Sequence, residues 1–332
     1  MMEAFTRLPP GTKRALRWLM FALLITGLAI GFSGMFETAW HDLKGRTVPL
    51  SSNLVIAWLI FGIAVFVSGL LWGRLLGDLE QRSMPPLEAG AAHCVAWLLK
   101  YIPGQVGALV YKIAWGRTRG ISATNVTLSF VYENIFLQLA SLVPGLLILS
   151  AHENLAVGAW GDGRRTLLVA GTAAFAMLLA AVLLGPALRF GIARLEKYWG
   201  KKGEPLRLLR LSGSLRHGLW FVAPRLLNGA GFVLIVAAVA PVTPGDWAVL
   251  GAIYVVAGAI GILAVFVPSG LGVREGVIVV LASPIIGTSD AIFAAILARL
   301  IATAADALVA LAAALALWQR PGEFSSSQRD AA

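Results

Sequence analysis

Three cations, Lys100, Arg274 and Arg299, lie in a chain otherwise dominated by long runs of Leu, Ala, Val and Ile. Ammonium and guanidinium groups in such surroundings mark anion or substrate pathways, and the planar guanidinium fork is matched to phosphate. Groups able to hold them in the absence of an anion stand nearby in sequence. Arg299, Thr303 and Asp306 fall at i, i+4 and i+7, one helical face over two turns. Arg274 is followed by Glu275 in the run Pro268, Ser269, Gly270, Leu271, Gly272, Val273, Arg274, Glu275, Gly276. Arg299 and Asp306 can neutralise each other through Thr303, or each can pair with Glu275 and Arg274. Either arrangement is a closed charge network. It serves as structure, or as a gate that reopens when an anionic headgroup competes for an arginine.

Two helix breaks carry these charges. Lys100 and Tyr101 precede Pro103 and Gly104, a dipeptide that ends a helix because proline lacks the donor and clashes with the preceding turn, while glycine permits reversal. A re-entrant hairpin over 89–114 follows, with Lys100 near its tip and Lys112 and Trp115 anchoring at the interface; the alternative is that Lys100 snorkels from the end of an ordinary span. The second broken segment, 268–288, takes its breaks from Pro268, Gly270, Gly272 and Gly276. Bare backbone at membrane depth survives only where it is buried in protein or lines a wet cavity. Glu133 and Asn134 lie deep inside the span 122–150, below Ser122, Asn125 and Ser129 on the Glu133 face. Glu133 there is a proton relay, a partner for Lys100 or Arg274, or glue between helices. Lys100, Tyr101, Arg274 and Arg299 are thus the candidate substrate-binding residues, and Glu133, Asn134, Glu275, Thr303 and Asp306 the candidate charge network.

The elements that must position them are membrane helices. A chain of 332 residues with 58% hydrophobic and 13% charged residues and a mean hydropathy of +0.80 is too apolar for a soluble domain. Runs at 17–36, 53–73, 122–150, 166–188, 218–240, 247–267 and 289–318 are each long enough to cross a ~30 Å hydrocarbon core as helix. An all-α polytopic bundle of about seven or eight transmembrane helices is therefore expected, not a barrel of alternating strands. The first half is 17–188 and the second 218–318, each with a pair of spans, a broken element and a long helix, as an internal repeat would produce. Pro103 precedes Glu133 by 30 residues and Pro268 precedes Arg299 by 31.

The net charge of +10 reflects topology. The connecting loop 189–217 carries eight Lys or Arg against Glu196 and Glu204, which places it in the cytoplasm with the N-terminus 1–16. Its Leu residues, interleaved with Arg207, Arg210 and Arg216, predict a short helix in the headgroup layer. No nucleic-acid module is visible. Cys94 is the single cysteine, and His41, His93, His152 and His217 lie far apart, read as loop or interface residues. No metal and no cofactor are expected, and no Gly-rich loop with Lys-Ser/Thr marks an ATP site. The tail 319–332 is polar.

The tract Lys100 to Gln105, the Glu133-Asn134 pair, and the run Pro268 to Gly276 with Arg299 and Asp306 downstream resemble the lysylphosphatidylglycerol synthase transmembrane (flippase-like) family over roughly residues 15 to 318. The resemblance implies translocation of lipid between leaflets, since members of the family move aminoacylated phosphatidylglycerol and stand-alone members are linked to hopanoid or glycolipid pathways. The chain ends at Ala332, so the family's cytosolic aminoacyl transferase domain is not expected and only translocation carries over. The resulting expectation is a multi-pass protein of the bacterial inner membrane, not an enzyme, whose partners are anionic membrane lipids and, among proteins, a lipid-synthesis enzyme. A lipid-modifying membrane enzyme and a scaffold for envelope biosynthesis are the alternatives.

Overall fold

The computed structural model describes residues 51–101, 106–152, 208–264 and 270–318, all inside the compact unit Val48–Ala332. Every regular element among them is helical: α1 (Ser52–Glu80), α2 (Pro86–Leu98), a 3-10 turn (Leu99–Tyr101), α3 (Val106–Arg117), α4 (Ala123–Ala151), α5 (Leu211–Trp220), α6 (Val222–Val239), a 3-10 turn (Pro244–Asp246), α7 (Trp247–Leu263), α8 (Val273–Ile286) and α9 (Thr288–Trp318). The expected N-terminus 1–16, the spans 17–36 and 166–188, the loop up to residue 207, the tail 319–332, and Pro103, Gly104 and Pro268 lie outside the described residues.

Among the described residues, five stretches are long and apolar enough to cross a membrane: Ser52–Glu80, Ala123–Ala151, Leu211–Val239, Pro244–Leu263 and Thr288–Leu317. They correspond to five of the seven runs read from sequence. Two ends moved. The helix expected to stop at residue 73 runs on to Glu80 because its acidic end is bound by neighbouring elements. Asp78 accepts from Arg216 Nη2 at 2.6 Å and lies 2.9 Å from His217 Nε2. Glu80 accepts from the Ser122 backbone N–H at 3.2 Å and from Asn125 Nδ2 at 2.9 Å. The span expected from residue 218 begins instead at Leu211, as α5 and α6 in succession. Proline falls in the first turn of α6 at Pro224, where its missing donor would have had no intrahelical acceptor. On α5, Leu211, Leu215 and Leu219 form an exposed stripe.

Three further helices are shorter. α2, α3 and α8 have 13, 12 and 14 residues, or roughly 18–21 Å at 1.5 Å per residue, too short to cross alone. The long helices hold them. α2 packs on α1 and α9, α3 on α2 and α4, and α8 on α7 and α9, while α1 packs on α6 and α4 on α7. Burial in the principal core comes from Phe61, Phe232, Ile253 and Tyr254 together with small residues such as Ala294, Ala295 and Ala298 of α9. Small residues let helix backbones approach closely where no water-driven force acts between apolar surfaces.

The second break is a matter of backbone. Gly270 and Gly272 have φ of +63° and +87°, a region that costs any side chain. A Cβ on Gly270 would also stand 2.6 Å from the Cα of Gly261 in α7. Helix resumes at Val273, and Glu275 Oε2 accepts the Gly272 N–H at 2.7 Å, satisfying one of the donors orphaned at a helix start. Gly276 is consequently not a break, as the sequence had led us to expect, but an interior position of α8 with nothing within 4 Å of an added Cβ.

Candidate functional site

The polar face of α4 turns inward. Ser129 accepts from Trp72 Nε1 of α1 at 3.0 Å, and one turn on Glu133 is 2% exposed. The Lys112 ammonium of α3 reaches Glu133 Oε2 at 2.5 Å and lies 4.3 Å from the centre of the Trp72 ring. His93 Nδ1 of α2 stands 3.2 Å from the other carboxylate oxygen. Glu133 is therefore ion-paired with Lys112, not with the expected Lys100 or Arg274, and lies beside the buried His93. Lys112 is not an interfacial anchor either. At 2% exposure it is drawn into the core, because a carboxylate buried on α4 demands a counter-charge.

His93 stacks on Trp97 with ring centres 5.5 Å apart, and Trp97 leads to the second acid. Asp306 of α9 accepts from Trp97 Nε1 at 3.1 Å through Oδ1 and from Lys100 Nζ at 2.7 Å through Oδ2. The Lys100 ammonium also lies 4.3 Å from the Trp97 ring centre. Lys100 thus turns onto α9 instead of snorkelling away. Tyr101 closes the same 3-10 turn.

A third pair ties α8 to α9. Arg299 Nη1 approaches Glu275 Oε1 at 3.4 Å, while the other oxygen of Glu275 caps Gly272. Of the two pairings open to Arg299 in the sequence, the structure takes the one with Glu275. Asp306 is bound by Trp97 and Lys100, and Arg274 lies with its guanidinium carbon 4.2 Å from the Tyr254 ring centre. Tyr254 is itself stacked between Phe61 and Phe232. Thr303 is half-buried between Arg299 and Asp306 on α9. Asn134 Nδ2 donates to the Phe130 carbonyl of its own helix at 2.8 Å, and Gln138 Nε2 to the Ala259 carbonyl of α7 at 3.1 Å.

Sequence reasoning missed several of these groups. His93 and His217, expected at loops or the interface, are fully buried, the latter against Asp78; His152 lies at the end of α4, 3.8 Å from Asp246. Arg225 of α6, 8% exposed, was not singled out at all. The signal for it lay in Leu211, Leu215 and Leu219, an i, i+4, i+8 stripe showing that helix begins well before residue 218 and puts Arg225 deep within it.

Chemically, three acid–base pairs connect short helices, or the turn after one, to long helices. Each cation in them can exchange its carboxylate for another anion. Beside them, a cleft of about 590 Å³ between α1, α2 and α9 is lined by Trp58, Ile63, Phe66, Ala91 and Leu308.

The model of the lysylphosphatidylglycerol synthase TM region matches residues 14–310. Among curated proteins, no match was found. The matched stretch holds every group of the charge network, from Trp72 to Asp306, and all but the end of the last long helix; this chain is a multi-pass membrane protein that belongs to the lysylphosphatidylglycerol synthase TM region family.

Proposed function

We propose that this protein translocates a lipid between leaflets, the cargo being an anionic or modified phospholipid, a glycolipid or an isoprenoid lipid. The headgroup passes through the protein while the acyl chains stay in the bilayer. One observation carries this reading: the ion pairs Lys112–Glu133, Lys100–Asp306 and Glu275–Arg299 are all drawn between a short broken element and a long helix. A single charge at the bilayer centre costs roughly 2.5–3.5 kcal/mol on insertion scales, so charged groups of this density mark substrate paths. Lys100, Tyr101, Arg274 and Arg299 receive the headgroup, and Glu133, Glu275, Thr303 and Asp306 hold the cations between transport events. The protein carries out no bond chemistry of its own in this reading. It sits in the bacterial inner membrane with its N-terminus in the cytoplasm, takes lipid from a lipid-synthesis enzyme, and draws energy from a gradient, a partner or downhill flow.

An internal repeat would supply the two halves that such a mechanism needs. The order long helix, shorter helix, break, short helix, long helix runs through α1 to α4 and again through α5/α6 to α9, the second member being the 13-residue α2 in one half and the 17-residue α7 in the other. Exchanging the halves carries the α1–α6 contact onto itself and the α2–α9 contact onto α7–α4, and all three contacts are present.

The test is leaflet exchange. The purified chain, reconstituted into vesicles with fluorescently labelled phosphatidylglycerol, lysyl-phosphatidylglycerol or glucosyl-diacylglycerol, is expected to expose inner-leaflet label to an external quencher faster than empty vesicles do. Folded, inserted protein that accelerates none of the three overturns the reading.

A further inference from the structure

Arg225 projects from α6 into the interior and is 8% exposed. Its Nε–H has no hydrogen-bond partner, and among the described residues no carboxylate lies within ion-pair distance of it. The acid whose field reaches it, Glu133, is engaged by Lys112 at 2.5 Å. The other groups in electrostatic reach are the Arg274 guanidinium, which repels it, and the Tyr254 phenol. An arginine does not escape such a position by giving up its proton. A buried ion without a counter-charge works against the fold, and replacing it with an uncharged side chain should stabilise the protein. A second guanidinium within electrostatic reach makes the arrangement worse for the protein alone and better for a bound anion. Two guanidinium groups and the Tyr254 hydroxyl also offer more donors than the two oxygens of a carboxylate use, and suit the several oxygens of a phosphate.

We propose that Arg225, together with Arg274, forms a buried oxyanion site for a phosphate group, either the phosphodiester of a lipid headgroup or free phosphate. The site rests on the translocator reading only in lying on the headgroup path. Arg225 lies on α6, outside the three exchangeable pairs, so it binds the cargo before any of those pairs has to open.

The experiment measures thermal unfolding and affinity of the full chain in detergent with dihexanoylphosphatidylglycerol, sodium phosphate, or sodium chloride at matched ionic strength. Wild type is expected to be stabilised by the short-chain lipid, by phosphate or by both, and not by chloride. Stabilisation by the lipid alone identifies a headgroup site, and stabilisation by phosphate identifies a site open to the free ion; each supports the proposal provided Arg225→Gln abolishes it. Without ligand, Arg225→Gln should unfold at a higher temperature than wild type, which a structural arginine would not do. Arg225→Lys, which keeps the charge and loses the fork, should bind roughly tenfold or more weakly. No stabilisation by either phosphate compound, equal stabilisation by chloride, or a response that survives in Arg225→Gln overturns the site. Leaflet exchange is recorded on the same preparations: binding lost in Arg225→Gln while wild type moves no lipid fails only the translocator, whereas wild type that exchanges lipid but is stabilised by neither phosphate compound fails only this site.

Discussion

At the scale of single residues, the Lys112–Glu133 pair has the most demanding physics. Both side chains are 2% exposed and they meet at 2.5 Å. Removing one partner strands the other charge in the core, whereas removing both leaves no uncompensated ion. Glu133→Gln is therefore expected to destabilise the protein by roughly 3–5 kcal/mol, and Glu133→Gln combined with Lys112→Met to recover most of that loss, as read from thermal unfolding in detergent. Additive losses in the double variant would mean the two groups do not act as a pair. Leaflet exchange by the recovered double variant then separates roles: activity retained makes the pair structural, activity lost makes it part of the path. Glu133 was legible in the sequence because a lone carboxylate interrupts a long apolar run, but Lys112 was not, since it sits among aromatic residues as an interfacial anchor does. Only the third dimension, with α3 folded back on α4, turns that anchor into a counter-ion.

At the scale of elements, two glycines close to the return of the chain after α7 differ in what they contribute. Gly270 combines a positive φ with a backbone approach to Gly261 that leaves no room for a methyl group, while Gly276 lies in open surroundings within α8. Gly270→Ala is expected to cost about 1–3 kcal/mol for the backbone strain, and more for the clash. It should also impair exchange, because α8 carries Arg274 and Glu275. Gly276→Ala should leave exchange intact and stabilise the helix by up to about 1 kcal/mol. Thermal unfolding of the two variants side by side checks the contrast, and equal effects would place the turn wrongly. The glycine-rich run pointed to the break from sequence alone, since glycine adopts such φ values without the strain a side chain meets there. Where helix resumes was not legible, because it is set by Glu275 capping Gly272, and that carboxylate looks in sequence like one more member of a charge network.

At the scale of the whole unit, the apolar runs made the five described spans readable, because hydrocarbon admits only helices and closed barrels, and continuous apolar runs of that length are not the alternating strands of a barrel. How the halves meet was hinted at only by the similar spacing of Pro103 to Glu133 and of Pro268 to Arg299. The proposed halves touch through α1–α6, α2–α9 and α4–α7, and transport by rocking requires some of these contacts to part while α1–α6 serves as the pivot. Gly145 of α4 tests this directly, since a Cβ placed there would abut the Val256 Cγ2 methyl of α7. Cysteines at the two positions place a sulfur where that methyl lies, within the compass of a disulfide. The chain's one native cysteine, Cys94, is buried and can be replaced by alanine for a clean background. In the Gly145→Cys, Val256→Cys protein, oxidation should bring leaflet exchange down to the rate of empty vesicles, and reduction should restore it. Exchange that continues in fully oxidised protein would mean that α4 and α7 move as one body, and would shift the moving boundary to α2 and α9, where Lys100 and Asp306 hold the halves together.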